Sequence, residues 1–241
     1  MESIESAAFS AWPSLDSQDL YGWHLRFADG YTKRANSANC TQDSEELSEP
    51  QVNHIKQIYQ NRGLQPIFRL TSISAPPQID SLLAEKGYRF VDMSLVMTTP
   101  LDIQRQAELP TCASSPESWL NIFQQVSGKL EASQAIHLKM LQSIKSPCAF
   151  AIKKSQEGLP TSCGLGVLEQ GQLGLFDVAT SPDFRRRGLA RELCEEILQW
   201  GGQMGAKVAF VQVVAANSSA ISLYERLGFR YAYHYWYRIG D

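Results

Sequence analysis

The stretch SLLAEKGYRF at residues 81–90 returns as SLYERLGFRY at residues 222–231, with Ser, Leu, Gly, an aromatic, Arg and a second aromatic in register. Upstream of each copy stands a glycine followed by an apolar, strand-like run: Gly63 before Pro66–Leu70, and Gly205 before Val208–Val214. A unit that occurs twice, 141 residues apart, rules out a solenoid, which stacks shorter and more numerous repeats. It predicts a duplicated strand–helix–strand unit, each helix stopped by a glycine (Gly87, Gly228) that tolerates the left-handed conformation. At 241 residues the chain exceeds one average domain and falls short of two full ones. We expect a smaller unit over residues 1–100 and a larger one over residues 101–241.

The rest of the chain fits that division. In the first unit, GWHLRFADGYTKRANS alternates apolar and polar side chains about Ala28-Asp29-Gly30, a hairpin pattern. Val52, Ile55, Ile58 and Tyr59 recur at helical spacing before Gly63. A strand at Pro66–Leu70, a helix at Ile79–Lys86 and a strand at Tyr88–Met97 complete the unit. Residues 100–118, with Pro100, Pro110 and Pro116 among small polar residues, read as the join. Beyond it the patterning predicts helices at Trp119–Val126 and Ile136–Ile144 and strands at Cys148–Lys153, Cys163–Leu168 and Leu173–Thr180. A long helix then buries Leu189, Leu193, Ile197 and Met204 on one face. The apolar run Val208–Val214 is a buried strand, followed by a helix at Ser218–Leu227 and an aromatic strand at Phe229–Tyr237.

Composition excludes several classes of function. Hydrophobic residues make up 44% and charged residues 20%, ordinary values for a folded globular chain. The formal charge of −3 argues against a polyanion partner, because nucleic-acid binders carry a basic surplus. Five cysteines (Cys40, Cys112, Cys148, Cys163, Cys194) form no Cys-x-x-Cys pair and leave an odd count, which suits reduced thiols in the cytoplasm. His24, His54, His137 and His234 have no metal-ligand spacing, so no metal site is expected. MESIESAAF has neither the basic nor the apolar region of a secretory signal, and no run reaches the roughly 18 apolar residues of a membrane span.

Against this acidic background stands PDFRRRGLA at residues 182–190, between the strand ending at Thr180 and the long helix. A helix N-terminus presents unpaired amides and the positive end of the helix dipole, and a glycine there lets the backbone approach an anion closely. Arginines beside it add charge-assisted contacts to phosphate oxygens. The spacing matches neither the Gly-x-x-x-x-Gly-Lys-Ser/Thr nor the Gly-x-Gly-x-x-Gly pattern of nucleotide folds; it is Arg-x-x-Gly-x-Ala.

That loop, taken with FDVATSPDFRRRGLARELCEEIL and VAFVQVVAANSSAISLYERLGF, resembles the GNAT superfamily of N-acetyltransferases over roughly residues 101–241. The first hundred residues look like a degenerate copy without the Arg-x-x-Gly-x-Ala loop. The resemblance implies an α/β (α+β) fold with a mixed, mostly antiparallel central sheet flanked by helices, and acetyl-CoA as cosubstrate. It implies that Val178, Ala179 and Thr180 on a splayed strand face the pantetheine arm. The amides of Arg185, Arg186, Arg187, Gly188, Leu189 and Ala190 would cradle the pyrophosphate. Asn217 resembles the family's pantetheine-contacting Asn, and as an Asn before a helix it equally suits an N-cap. Tyr224 resembles the tyrosine that protonates the leaving thiolate as general acid.

The general base is less evident. In the ribosomal-protein alanine acetyltransferases, which the second half resembles, a Glu stands five residues before the Asn; here the position is Gln212, which cannot take a proton. Asp177 is the nearest carboxylate on the splayed strand, and a water relay or an already neutral amine would also serve. The tyrosines at 231, 233, 235 and 237, the helices at Trp119–Ile144 and the first half are candidates for shaping the acceptor site. Cys163 and Cys194 lie in apolar segments and do not look like nucleophiles.

These residues predict transfer of an acetyl group from acetyl-CoA to a primary amine of a small molecule or peptide by direct attack, in a cytoplasmic monomer or homodimer without nucleic-acid or membrane partners. The competing class is a non-catalytic acyl-CoA sensor, which Gln212 keeps open.

Overall fold

The computed structural model describes residues 2–101, 108–128 and 134–241. Part of the expected join, and the stretch between the two helices after it, lie outside the described residues. The elements run α1 (Glu2–Ala11), β1 (Asp16–Leu20), β2 (Trp23–Phe27), β3 (Ala38–Asn39), α2 (Glu49–Asn61), β4 (Ile67–Thr71), α3 (Ile79–Glu85) and β5 (Arg89–Pro100). They continue with α4 (Pro116–Ser127), α5 (Gln134–Ser143), β6 (Cys148–Lys154), β7 (Pro160–Glu169), β8 (Gln172–Thr180), α6 (Leu189–Gln203), β9 (Val208–Val214), α7 (Ser218–Arg226) and β10 (Arg230–Ile239).

All ten strands share one sheet in the order β1-β2-β3-β4-β10-β5-β9-β8-β7-β6. The order is symmetric about the β10–β5 contact. Each repeat, β4-α3-β5 and β9-α7-β10, sends its last strand past the centre: β10 pairs with β4, and β5 pairs with β9. The halves are therefore joined by exchanged strands. Every pair is antiparallel except β3–β4 and β8–β9, which occupy corresponding positions on either side of the centre.

The period-two alternation of the strands divides the core. Ile67, Val96, Phe210, Tyr233, Tyr235 and Tyr237 enter one apolar cluster with α1, α4 and α5. Ala209, Val211 and Val213 face a second cluster under α6 and α7, while Phe68 and Leu70 face a third under α2 and α3. Gly87 and Gly228 both have positive φ, as the two stops of the repeat require.

Two features of the first unit escaped the sequence reading. The strands on either side of Ala28-Asp29-Gly30 do pair antiparallel, β2 with β3, but through a longer connection with a 3₁₀ turn at Lys33–Ala35, and a tighter hairpin at Tyr21-Gly22, both at positive φ, joins β1 to β2. Helix α1 was also unforeseen, although Ile4, Ala7, Ala8 and Ala11 follow helical spacing; its buried face packs across β7 and β8 of the second half.

Candidate active site

The site begins where β8 leaves β9. The two pair in parallel from Gln172↔Val208 to Leu175↔Val211 and no further, so Phe176–Thr180 diverge from Gln212–Val214. On its other edge β8 gains an extra residue against β7, a register shift between Leu165↔Phe176 and Cys163↔Ala179. Asp177 lies in that bulge at φ +47, a conformation that L-residues sustain only when their surroundings hold it. Gly174 is obligatory beneath it: a Cβ there would lie 2.5 Å from the Phe176 ring and 2.7 Å from the Phe210 ring.

The bulge is held from three directions. Trp12, just past α1, stacks on Phe176 at 5.4 Å between ring centroids and meets His137 of α5 edge-on at 5.6 Å. The side chain of His137 is fully buried, and its Nε2 lies 3.1 Å from Asp177 Oδ2. On the opposite side of the imidazole, Tyr31 Oη is 2.7 Å from His137 Nδ1. Asp177, His137 and Tyr31 thus form a continuous polar chain.

Beyond Thr180 a 3₁₀ turn at Pro182–Phe184 leads into the arginines. Arg185 Nε donates to Thr180 O at 3.3 Å, and Arg187 Nη2 donates to Asp183 O at 3.0 Å with its guanidinium over the Phe184 ring. Arg186 (φ +59) and Gly188 (φ +85) are both left-handed, which curls the loop and turns successive amides outward before α6 starts. Among the described residues, the amides of Arg186 to Ala190 find no acceptor; the first amides that do are those of Arg191 and Glu192, both on Gly188 O. Arg185–Gly188 are exposed, and Leu189 and Ala190 are half-buried. Thr180 Oγ1 is buried at the lip of the opening without a partner among the described residues. An exposed cradle of amides at a helix N-terminus, flanked by arginines, fits a pyrophosphate.

Across the opening, α7 carries Asn217 and Tyr224. Asn217 is the N-cap: its Oδ1 accepts from Ala220 N at 3.1 Å and from Ser219 Oγ at 3.0 Å. Tyr224 is 8% exposed and packs edge-on against Phe229. Burial, aided by the neighbouring Cys194, pushes its hydroxyl well above the ordinary tyrosine range, against the opposing charge of Arg34, so it keeps its proton at physiological pH. Gln212, the first β9 residue past the last β8 pair, has its Oε1 3.4 Å from Nη1 of Arg34. Arg34, Tyr31 and Gln212 share with Tyr235, Tyr237 and Asp92 the lining of a cavity of about 380 Å³. Burial pushes the Cys194 thiol up to about 12 and Cys163 further, in line with their apolar surroundings and against a nucleophilic role.

Sequence reading located the loop, the splayed strand and α7, but not Trp12, Tyr31, Arg34 and His137, which reach the site from other elements. The corresponding crevice in the first half, beyond β3 and β4, opens on a cavity of about 510 Å³ lined by Glu5, Phe9, His24, Cys40 and Asp43. The helix that follows it, α2, begins Glu49-Pro50, a negative charge followed by a residue with no amide N–H to offer. Such a start repels a phosphate.

A parallel strand pair that splays at a bulge, followed by an amide-rich loop at the start of a long helix, is the architecture of a GNAT-type acetyltransferase. The chain belongs to the family described as Probable histone acetyltransferase Rv0428c C-terminal, whose profile matches residues 1–238. It is similar along almost its whole length to the uncharacterized N-acetyltransferase YobR of Bacillus subtilis (28% identity, 99% of this chain and 98% of that protein). A shorter stretch, 58 residues covering 24% of this chain and 39% of the other, is 45% identical to the ribosomal protein bS18-alanine N-acetyltransferase of Salmonella typhimurium. In fold it matches a GCN5-related N-acetyltransferase from Kribbella flavida with a TM-score of 0.71 at 16% identity, over 100% of this chain and 95% of that one.

Proposed function

We propose that the chain transfers an acetyl group from acetyl-CoA to a primary amine by direct attack. The observation that carries this is the run of unpaired amides from Arg186 to Ala190 at the outer end of the splayed strand; Tyr224, buried on the helix that follows β9, supports it. The amides and the arginines of the loop would hold the pyrophosphate, and the free edge of β8 at Val178–Thr180 would hold the pantetheine arm. Bound there, acetyl-CoA supplies the activated acyl group. Tyr224, protonated because it is buried, gives its proton to the departing sulfur as general acid.

Gln212 cannot serve as base, and the chain of Tyr31, His137 and Asp177 supplies the alternative. Tyr31 lines the acceptor cavity and contacts His137, so a proton leaving the amine passes to Tyr31 Oη as the phenolic proton moves to His137 Nδ1. The Asp177 carboxylate then steadies the imidazolium. Asp177 is in this reading a positioning residue that acts through His137. Asn217 keeps its Oδ1 on the helix cap, leaving its amide nitrogen for a ligand.

Calorimetry with acetyl-CoA and a thiol-release assay over a panel of amines test the proposal. Acetyl-CoA is expected to bind, and Tyr224→Phe to lower kcat roughly 10²- to 10⁴-fold without weakening that binding. Binding without turnover for any amine makes the chain an acyl-CoA sensor, and no binding at all removes both readings.

A further inference from the structure

Three guanidinium groups converge where the halves meet beside the candidate site, and a single carboxylate answers them. Arg69, 2% exposed, is committed to Glu5, with Nη1 and Nη2 at 2.5 and 2.9 Å from its two oxygens. Arg26, equally buried, donates from its two terminal nitrogens to main-chain carbonyls of Arg34, Phe9 and Trp12, which carry no charge, and its Nε has no partner among the described residues. Arg34 lies over the Trp12 ring at 5.7 Å and reaches Gln212; no carboxylate among the described residues pairs with it. These three arginines line one narrow gap together with Trp12 and Gln212. Positive charge buried in excess is costly, and burial together with the Arg69 charge lowers the Arg26 pKa to about 9. An anion at Arg34 relieves that excess.

The position matters as much as the charge. Gln212 stands at the mouth of the β8–β9 opening, and Arg34 faces it there from the other half of the chain. The cavity that Arg34 and Gln212 line has the size of a small-molecule site, about 380 Å³, and is lined also by Lys33, whose Nζ is 2.7 Å from Asp92 Oδ2. A guanidinium fork matches the two oxygens of a carboxylate.

We infer that the acceptor is a small amine bearing a carboxylate, of the amino-acid class, whose carboxylate pairs with Arg34 beside Gln212 and whose side chain extends toward Lys33 and Asp92. This rests on the acetyl-transfer reading above. Such an acceptor delivers its amine within reach of the opening while its charge completes the arginine cluster.

The test is thiol release at saturating acetyl-CoA with the standard amino acids, their carboxamides and methyl esters, carboxylate-free amines and lysine peptides. At least one free amino acid is expected to exceed its carboxamide by roughly 10- to 100-fold in kcat/KM, the worth of a charged hydrogen bond. Arg34→Gln should erase that preference through KM, and Arg34→Lys, which keeps the charge without the fork, should restore part of it; both should still bind acetyl-CoA. Equal use of acids and amides, turnover confined to carboxylate-free amines or peptides, or a preference unmoved in Arg34→Gln overturns the inference and leaves acetyl transfer intact. Turnover of carboxylate-free amines only with a dicarboxylic acyl-CoA, such as succinyl-CoA, assigns the anion to the donor and also overturns it. Failure to bind acetyl-CoA defeats the underlying reading instead.

Discussion

Replacing Glu5 by glutamine removes the one negative charge in the buried arginine cluster while keeping the size of the side chain. Glu5 is 12% exposed at its side chain and accepts from both terminal nitrogens of Arg69 and from Tyr233 Oη at 2.5 Å. Burial alone would raise its pKa, but the charge and hydrogen bonds of Arg69, with the Tyr233 hydroxyl, outweigh burial and hold it below the ordinary glutamate value. Breaking one side of a buried ion pair costs about 3–5 kcal/mol, and because the amide oxygen can still accept one bond the lower end, about 3 kcal/mol, applies. For a chain of this size each kcal/mol moves Tm by about 2–4 °C, so Glu5→Gln should melt roughly 6–12 °C below the parent at pH 7. A group whose folded pKa is depressed contributes its full stability above the ordinary carboxylate range, about 4.3 for Glu, and loses it as pH falls through the folded value. The gap between parent and Glu5→Gln, followed by calorimetry, should therefore be constant near neutrality and close in acid. Removing Arg69 as well, in Glu5→Gln/Arg69→Gln, should recover part of the loss, because the stranded guanidinium goes with it. A Tm for Glu5→Gln within about 2 °C of the parent at pH 7 would refute the account of the cluster.

Two further outcomes test the candidate site. Gly188→Ala meets only open space, with Glu192 Oε1 3.6 Å from the new Cβ, so its effect comes from φ +85; we expect about 1 kcal/mol of lost stability and an acetyl-CoA Kd raised roughly tenfold or more, read by calorimetry. His137→Phe should lower kcat roughly 100-fold near neutral pH, with the deficit shrinking as pH rises and the amine loses its proton unaided; a deficit independent of pH removes His137 from the proton path.

Much of the second half is legible because its signals are local. The apolar face of α6 at Leu193 and Ile197, the run Val208–Val214 and the glycine after α7 each follow from spacing within one segment, and the arginine loop is read from nine consecutive residues; Met204, expected on the buried face of α6, caps the helix end instead and is exposed. The first half is harder. Helix α1 carries its stripe on small alanines, and β3 is two residues long, too short for any periodicity to register. Asn217 was legible as a cap or a ligand contact, and its Oδ1 is found on the cap. The tyrosine row separates in the fold: Tyr231 is exposed, Tyr233 bonds Glu5, and Tyr235 and Tyr237 line the cavity beside Gln212.

The amino-acid sequence alone determined the repeated strand–helix–strand segments and the arginine loop at the start of the long helix, because turn chemistry, helix stops and side-chain periodicity act over a few neighbouring residues. Tertiary structure decided what surrounds that loop. The exchange of β5 and β10 across the centre, the pairing of His137 with Asp177 and the approach of Arg34 to Gln212, 178 residues away, depend on which strands become neighbours. A strand's alternation states which face it buries and leaves its partner unspecified, so these contacts exist only once the whole sheet has assembled.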